Sequence, residues 1–332
     1  MPENAQAHTT ACSPGGLVDA QGRRIQYLRL SLTDRCNFRC SYCSVSDYED
    51  GERVLSRAEI RRLLSVFAAQ GVRRVRLTGG EPTLRREVVE IVADARSTPG
   101  IEEVALTTNG HRLRELAAPL RDAGLLALNV SLDTLRADRL LRISGRGARL
   151  GEVLDGFDAA AAAGFGSLKL NAVVMGGVND DELGDLVRHA WARGATPRFI
   201  ELMPFGDGQP VPTAEVKRRL AVQGVPLSPD PKRGWGPAHY MRGGGGLVGF
   251  IGAITENFCE SCNRARVAAD GSFQACLGGR DRVSLRDLIR AGASDGALTA
   301  AVAAALGRKD PRHHMDAPGA RLVTLPMMGI GG

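Results

Sequence analysis

Aromatic residues make up only 5% of this 332-residue chain, too few for the stacking platforms on which single-stranded nucleic acids bind. No stretch approaches the roughly 18 consecutive apolar residues that a membrane-spanning helix needs. The start, Met1-Pro2-Glu3-Asn4, lacks a basic stretch followed by an apolar one, so no secretory signal is expected. Long blocks of one charge sign are also missing: 43 Lys and Arg are interleaved with 37 Asp and Glu, for a net charge of +6. A small anionic substrate fits that balance, because a basic cleft concentrates polyanions. Neither nucleic acid nor membrane is expected as a partner. Cysteines are few and odd in number, seven in all, which without an export signal argues for a reducing, cytoplasmic setting over a disulfide framework. The length suits one large domain or two ordinary ones with a full core.

Six of the seven cysteines fall into two distant triplets. Cys36, Cys40 and Cys43 form a C-x3-C-x2-C run, and Cys259, Cys262 and Cys276 a C-x2-C-x13-C run. Three thiolates are one short of the four that normally close an iron–sulfur cluster. A [4Fe–4S] cube held by three cysteines leaves one iron open to a further ligand, so the pattern reads as two reactive clusters. Zinc is the competing ligand, but it wants four protein ligands or three plus water, and no histidine lies in the first loop. Cys12 stands alone in a polar, Gly- and Pro-containing stretch and is read as no ligand.

A rhythm begins at residue 25. IQYLRLSLT (25–33) alternates Leu28, Leu30 and Leu32 against Arg29 and Ser31, as a strand does. Ser56-Arg57-Ala58-Glu59 is a capping-box pattern, opening a helix that should end at Gly71. Strands are predicted next at 72–78, 104–108, 126–133, 167–174 and 197–203. Helices are predicted near 85–96, 111–123, after 133, at 152–163 ending on Gly164, and near 180–193. Six alternating strands imply a parallel sheet with right-handed crossovers, too few for a closed eight-fold barrel. An incomplete (β/α)6 TIM-type barrel is favoured over an open doubly wound sheet. The first triplet follows strand one, Gly79-Gly80-Glu81-Pro82 strand two and Asn109-Gly110 strand three, and barrels collect functional loops at those strand ends.

Strand parity carries a second signal. Arg74 and Arg76, Asn129 and Ser131, and Lys169 and Asn171 each share one side of a strand. Parallel strands are usually apolar on both faces, so a polar barrel lumen that holds a ligand is expected. Past residue 205 the composition turns rich in Gly and Pro. The division is read as a flexible leader at 1–22, a partial barrel at 23–225, and a smaller C-terminal domain at 226–332. That last part carries the second triplet, helices near 284–291 and 295–306, and a Gly-Gly tail. The four-glycine run from Gly243 to Gly246 is read as a flexible turn, since no strand–loop–helix context makes it a phosphate cradle.

The first triplet together with Gly79-Gly80-Glu81-Pro82 resembles the radical S-adenosylmethionine (SAM) enzymes. The segments LRLSLTDRCNFRCSYC (28–43), RLTGGEPTLRR (76–86), LTTNG (106–110), NVSLD (129–133) and FCESCNRARVAADGSFQACL (258–277), with the Gly331-Gly332 end, narrow the likeness to the GTP 3′,8-cyclase family of molybdenum-cofactor biosynthesis. It covers roughly residues 17–332. Two departures stand out: Ser44 follows Cys43 where relatives commonly carry Met-Pro, and the stretch from there to Ser56 is short.

The resemblance implies the site. A [4Fe–4S] cluster on Cys36, Cys40 and Cys43 would chelate SAM, with Tyr42, Gly79, Gly80, Glu81, Ser131 and Met203 around the cofactor. A second cluster on Cys259, Cys262 and Cys276 would face the guanine of GTP. Arg29, Arg74, Arg76, Thr107, Lys169 and the Arg264-Ala265-Arg266 segment would hold the nucleotide, Arg74 standing where relatives often have Lys. Arg264, Arg266, Gly331 and Gly332 would serve catalysis. The implied reaction removes the ribose 3′ hydrogen and closes C3′ on guanine C8, and reduction then gives 3′,8-cyclo-7,8-dihydro-GTP. Implied partners are a reductant such as flavodoxin or ferredoxin and, downstream, cyclic pyranopterin monophosphate synthase, with a homodimer among the assemblies the family admits. His313 and His314 are read as packing or capping residues. Two rivals compete: another two-cluster radical SAM enzyme acting on a peptide or different small molecule, and a noncatalytic iron–sulfur carrier or zinc module. SAM binding separates the carrier from the enzymes, and GTP dependence separates the enzymes.

Overall fold

The computed structural model describes residues 16–43, 54–145, 147–232, 234, 236–279 and 281–315. Six strands alternate with helices: β1 (Tyr27–Ser31), α1 (Arg57–Ala69), β2 (Arg74–Thr78), α2 (Val88–Ser97), β3 (Glu103–Thr108), α3 (Leu113–Asp122), β4 (Ala127–Ser131), α4 (Ala137–Ser144), α5 (Leu150–Ala163), β5 (Ser167–Val174), α6 (Leu183–Trp191) and β6 (Thr196–Glu201). The remainder adds α7 (Thr213–Val222), β7 (Ser228–Pro229), β8 (His239–Gly243), β9 (Gly246–Ile251), β10 (Arg264–Val267), β11 (Ser272–Gln274), β12 (Val283–Ser284), α8 (Leu285–Arg290) and α9 (Asp295–Gly307).

Local chemistry sets the punctuation. Ser56 Oγ accepts from Glu59 N at 3.2 Å, and the Glu59 carboxylate accepts from Ser56 N at 2.7 Å, so the predicted capping box opens α1. Leu28 and Leu30 of β1 point outward and are fully buried with Ile60, Leu63 and Leu64 of α1. The Phe67 ring of α1 stacks on Phe273 of β11 at 6.0 Å, which ties the barrel to the C-terminal strands.

All twelve strands form one sheet in the order β12-β11-β10-β1-β2-β3-β4-β5-β6-β9-β8-β7. The run from β10 through β1–β6 to β9 is parallel throughout. The incomplete barrel is therefore present, and the C-terminal strands do more than hang beside it. They add β10 to the open edge of β1 and β9 to that of β6, covering backbone groups that would otherwise be left unpaired.

Three further features differ from the sequence reading. Helix α7 occupies 213–222, within the Gly- and Pro-rich region past residue 205 for which the sequence predicts no element. The Gly243–Gly246 run is the tip of the β8–β9 hairpin, with Gly243 opposite Gly246. It is a packing surface: a Cβ on Gly243 or Gly245 would lie 2.6 or 2.3 Å from the Trp191 ring, whose Nε1 donates to Leu247 O at 3.1 Å. Residues 17–22, assigned to the leader, are packed: Leu17 N donates to Gln70 O at 3.1 Å, and Leu17 and Asp19 are buried.

Candidate active site

The strand register builds the lumen. Tyr27 of β1 stands opposite Arg264 and Arg74, and Arg29 opposite Arg266 and Arg76. Thr107 pairs with Asn129, Asn129 with Lys169, Ser131 with Asn171, and Asn171 with Arg198. Alternation along each strand thus turns these side chains to one face, and they line a single cavity. Among its described charged lining residues are seven cations, Arg29, Arg74, Arg76, Lys169, Arg198, Arg264 and Arg266, against one carboxylate, Glu201. That carboxylate is engaged elsewhere, accepting from Ile254 N at 2.8 Å and Thr255 N at 2.9 Å.

These cations are held by neutral partners more than by acids. Arg76 donates from Nε to the Tyr27 hydroxyl and from Nη1 to Thr107 Oγ1 at 3.1 Å. Arg198 donates twice to Asn171 Oδ1, at 2.9 and 2.7 Å. With its amide turned so that oxygen faces the guanidinium groups, Asn129 accepts from Arg198 at 2.7 Å and from Arg76. Arg74 pairs with Glu103 at 2.6 Å and lies 5.1 Å over the Tyr27 ring; its Nε is buried without a hydrogen-bond partner. Burial, with Arg198, Arg76 and Arg74 nearby, drives the Lys169 ammonium down to about 7. Burial and Arg264 bring Arg266 to about 10, and burial and Arg266 hold Arg29 well below the usual guanidinium range. Burial would raise the Tyr27 phenol, but Arg76, Arg29 and Arg74 override it and bring it to about 7. A buried chamber of like charges is set to receive a polyanion.

The first triplet occupies the loop after β1, stapled to the loop after β2. Gly80 N donates to Thr33 O at 2.8 Å and Glu81 N to Arg35 O at 2.7 Å. A Cβ on Gly80 would sit 2.2 Å from Arg35 O, so only glycine permits this approach. The Glu81 carboxylate is buried and accepts from Thr83 N (2.9 Å), Thr83 Oγ1 (2.6 Å), Thr108 Oγ1 (2.7 Å) and Asn109 N (2.7 Å). Asn109 Nδ2 in turn donates to Asn37 Oδ1 at 2.8 Å, inside the cysteine loop. Tyr42 donates to Asp133 Oδ2 at 2.7 Å, and Asp133 Oδ1 accepts from Val173 N at 2.8 Å; burial raises the Asp133 carboxyl to about 6. Burial likewise pushes the Cys36 thiol up to about 12 and Cys40 to about 11, so iron binding must displace their protons.

Cys259, Cys262 and Cys276 all line the cavity at its other side, with Cys43 of the first triplet also on its wall. Arg264 lies 4.6 Å over the Phe258 ring, and its Nη2 approaches Cys262 Sγ at 3.9 Å. Burial acts to raise Cys262, but Arg264 and Lys309 outweigh it and bring the thiol to about 7. Among the described residues no three His, Cys, Asp or Glu side chains gather around a single-ion point. Ligands of a cube bind different irons at separate corners and need no such convergence. Two sets of three thiols, one reaching the cavity through Cys43 and the other through all three of its cysteines, and neither with a fourth thiol among the described residues, fit two open clusters.

Residues 30–190 match the model of the Radical SAM superfamily, and residues 195–315 that of Molybdenum Cofactor Synthesis C. The GTP 3′,8-cyclase of Heliobacterium modesticaldum is 45% identical over 311 residues, covering 90% of this chain and 95% of that protein. GTP 3′,8-cyclase 2 of Pseudomonas aeruginosa is 44% identical over 316 residues, covering 92% and 95%. The chain belongs to the GTP 3′,8-cyclase family. As in that family, it is a radical SAM lyase of molybdenum-cofactor biosynthesis whose cofactors are two [4Fe–4S] clusters and SAM. Among solved structures, Streptococcus suis SuiB bound to S-adenosylmethionine has a TM-score of 0.61 at 14% identity, covering 83% of this chain and 67% of that one. Native anSMEcpe with bound AdoMet has a TM-score of 0.52 at 14% identity, covering 79% and 80%. At such identity these two speak for the fold. No helix among the described residues is long and apolar enough to cross a membrane.

For the family's site, Tyr42, Ser131, Met203, Arg29, Arg74, Arg76, Thr107, Lys169, Arg264 and Arg266 meet on one cavity. Gly79, Gly80 and Glu81 lie beneath the cysteine loop and not on the cavity wall. Ala265 points the opposite way from Arg264 and Arg266, into the hydrophobic core beside Leu28, so only its backbone borders the lumen. Gly331, Gly332, Cys12 and Ser44 fall outside the described residues. His313 is buried, its Nε2 2.7 Å from Ala253 O and its Nδ1 accepting from Met315 N at 3.3 Å. Tyr27 and Arg198 are absent from the residues the sequence predicts; same-face parity with Arg29 was a signal for Tyr27, whereas Arg198 shares its face with apolar Ile200 and gave none.

Proposed function

We propose that the cavity binds GTP with its triphosphate among Arg29, Arg74, Arg76, Lys169 and Arg198, and its guanine at the second triplet. SAM sits at the first triplet against Tyr42, the Gly80 backbone, Ser131 and Met203. The observation that carries this reading is one continuous cavity bordered by both triplets, with seven cations on its wall. With SAM bound, a cluster on the first triplet would supply the radical chemistry that takes the ribose 3′ hydrogen; C3′ bonding to guanine C8, with one further electron from the reductant and one proton at N7, would balance to 3′,8-cyclo-7,8-dihydro-GTP. The chain's residues contribute position. Arginine forks grip phosphate oxygens from several strands and fix the ribose relative to the base. Tyr42, locked by Asp133, walls the first triplet, while Glu81 and Asn109 hold its loop in place. Arg264 and Arg266 hold the base side. A reductant such as flavodoxin or ferredoxin delivers the electron, and cyclic pyranopterin monophosphate synthase takes the product, in the cytoplasm.

The test is anaerobic reconstitution with SAM and dithionite, measuring 5′-deoxyadenosine with and without GTP. GTP-stimulated deoxyadenosine, with GTP converted to a cyclised product of equal mass, is the expected result. Deoxyadenosine formed with GTP unconsumed would send the reading to another substrate. None at all, with both clusters intact, would overturn it.

A further inference from the structure

A buried ion cluster adjoins the second triplet; of its members only Lys309, beside Cys262, has entered the site described so far. Asp19 has a fully buried side chain, and that of Lys309 is 2% exposed. Asp19 Oδ2 accepts from Arg23 Nε at 2.6 Å and lies 3.5 Å from Lys309 Nζ. Its Oδ1 accepts from the Gln21 and Arg23 amides, each at 3.0 Å. One carboxylate therefore faces two cations, and one positive charge is left over in a place where an uncompensated charge is costly.

The direction in which that charge points identifies its counterpart. Arg23 is turned to carbonyls: Nη1 donates to Cys259 O at 2.6 Å and Pro311 O at 2.8 Å, and Nη2 to Asp310 O at 3.1 Å. Lys309 Nζ reaches Arg264 O at 3.4 Å and Cys262 Sγ at 3.8 Å. An ammonium aimed at one sulfur of a triplet is suited to a thiolate cluster, whose charge is negative.

We propose that Lys309, held by Asp19, is a positioning residue for the second cluster: its ammonium donates to Cys262 Sγ and raises that cluster's reduction potential. Hydrogen bonds to cluster sulfurs and nearby positive charge stabilise the reduced state. They also draw electron density from the irons, which makes the open iron a better acceptor for guanine. The inference rests on the second triplet holding a cluster.

The test is an EPR-monitored redox titration of the reconstituted holoenzyme, taking the second cluster as the signal lost in Cys276→Ser. Lys309→Met should lower its potential by about 59 mV, a tenfold fall in the one-electron reduction equilibrium, while the first cluster stays unchanged. Lys309→Arg should restore it. Asp19→Asn, which keeps the ammonium and removes its counter-ion, should move the potential in the opposite direction. An unchanged potential in Lys309→Met with both clusters loaded overturns the inference. If Lys309→Met does not retain the cluster, Asp19→Asn decides: a positive shift supports the inference, and no shift or a negative one refutes it. Absence of a second-cluster signal in the unsubstituted protein would instead refute the cofactor assignment.

Discussion

Loading the lumen with GTP at pH 8 should draw protons from solution. Lys169 titrates at about 7 in the unliganded chamber because burial and then Arg198, Arg76 and Arg74 oppose its charge. Tyr27 titrates at about 7 because Arg76, Arg29 and Arg74 overcome the effect of burial. One pH unit above that point, about nine-tenths of each group has lost its proton. A triphosphate among the arginines reverses both preferences: it favours the ammonium and disfavours the phenolate. GTP binding at pH 8 should then take up between about one and two protons, and affinity should fall about tenfold per pH unit for each proton taken up. The assay is isothermal calorimetry in two buffers of different ionisation enthalpy. Lys169→Met should remove one part of the uptake and Tyr27→Phe the other. The sign for folding follows from the same groups. Each binds fewer protons folded than unfolded between about 7 and 10, so the unliganded protein should gain stability as pH rises through that window. Heats that do not depend on buffer at pH 8, or an uptake that survives both substitutions, would refute the reasoning.

Three further outcomes are expected. Cys→Ser at Cys36, Cys40 or Cys43 should abolish reductive SAM cleavage, whereas the same change at Cys259, Cys262 or Cys276 should spare part of it and abolish GTP conversion; equal loss of both activities from the second set would contradict separate roles. Gly80→Ala places a Cβ 2.2 Å from Arg35 O, so it should cost about 1–3 kcal/mol or more and release iron from the first triplet alone. Gly151→Ala in α5, with nothing within 4 Å, should leave iron unchanged and raise stability by up to about 1 kcal/mol; thermal melts with iron assays check the pair. Arg264→Ala or Arg266→Ala should raise the KM for GTP with both clusters retained, and iron loss from a folded variant would assign these residues a structural role.

What was legible in the sequence was local or periodic. Cys36, Cys40 and Cys43 lie within eight residues, so one loop must hold them together in any fold. Parity put Arg74 with Arg76 and Lys169 with Asn171, and the parallel register then aligned those faces across the sheet. The capping box at Ser56 needs only four residues to be read. Long-range partnerships were not legible. Nothing near Asp19 points to Lys309, 290 positions away, and only the assembled fold brings them to 3.5 Å. Arg198 shares its face with apolar Ile200, so its strand showed no polar pair. The four glycines at 243–246 looked like a flexible turn because Trp191, which covers them, lies some 50 residues earlier. Ala265 took its expected role from the arginines on either side, although a strand turns neighbouring residues to opposite faces.

The sheet order also dictates when the enzyme can come into being on the ribosome. By the time β6 has emerged, the arc from β1 to β6 is complete, yet both its outer strands still present bare backbone. The strand that covers β1 starts at Arg264, about 60 residues after β6 ends at Glu201, which takes on the order of 3–12 seconds at ribosomal rates. During that interval the nascent chain holds the cysteine loop in a barrel whose flanks are bare, that of β6 until β9 emerges at Gly246–Ile251 and that of β1 until Arg264 does, the condition under which edge-to-edge association competes with folding. The last third of the polypeptide thus works as a clasp that closes both flanks. Maturation of the first cluster can begin before the clasp arrives, and that of the second cannot.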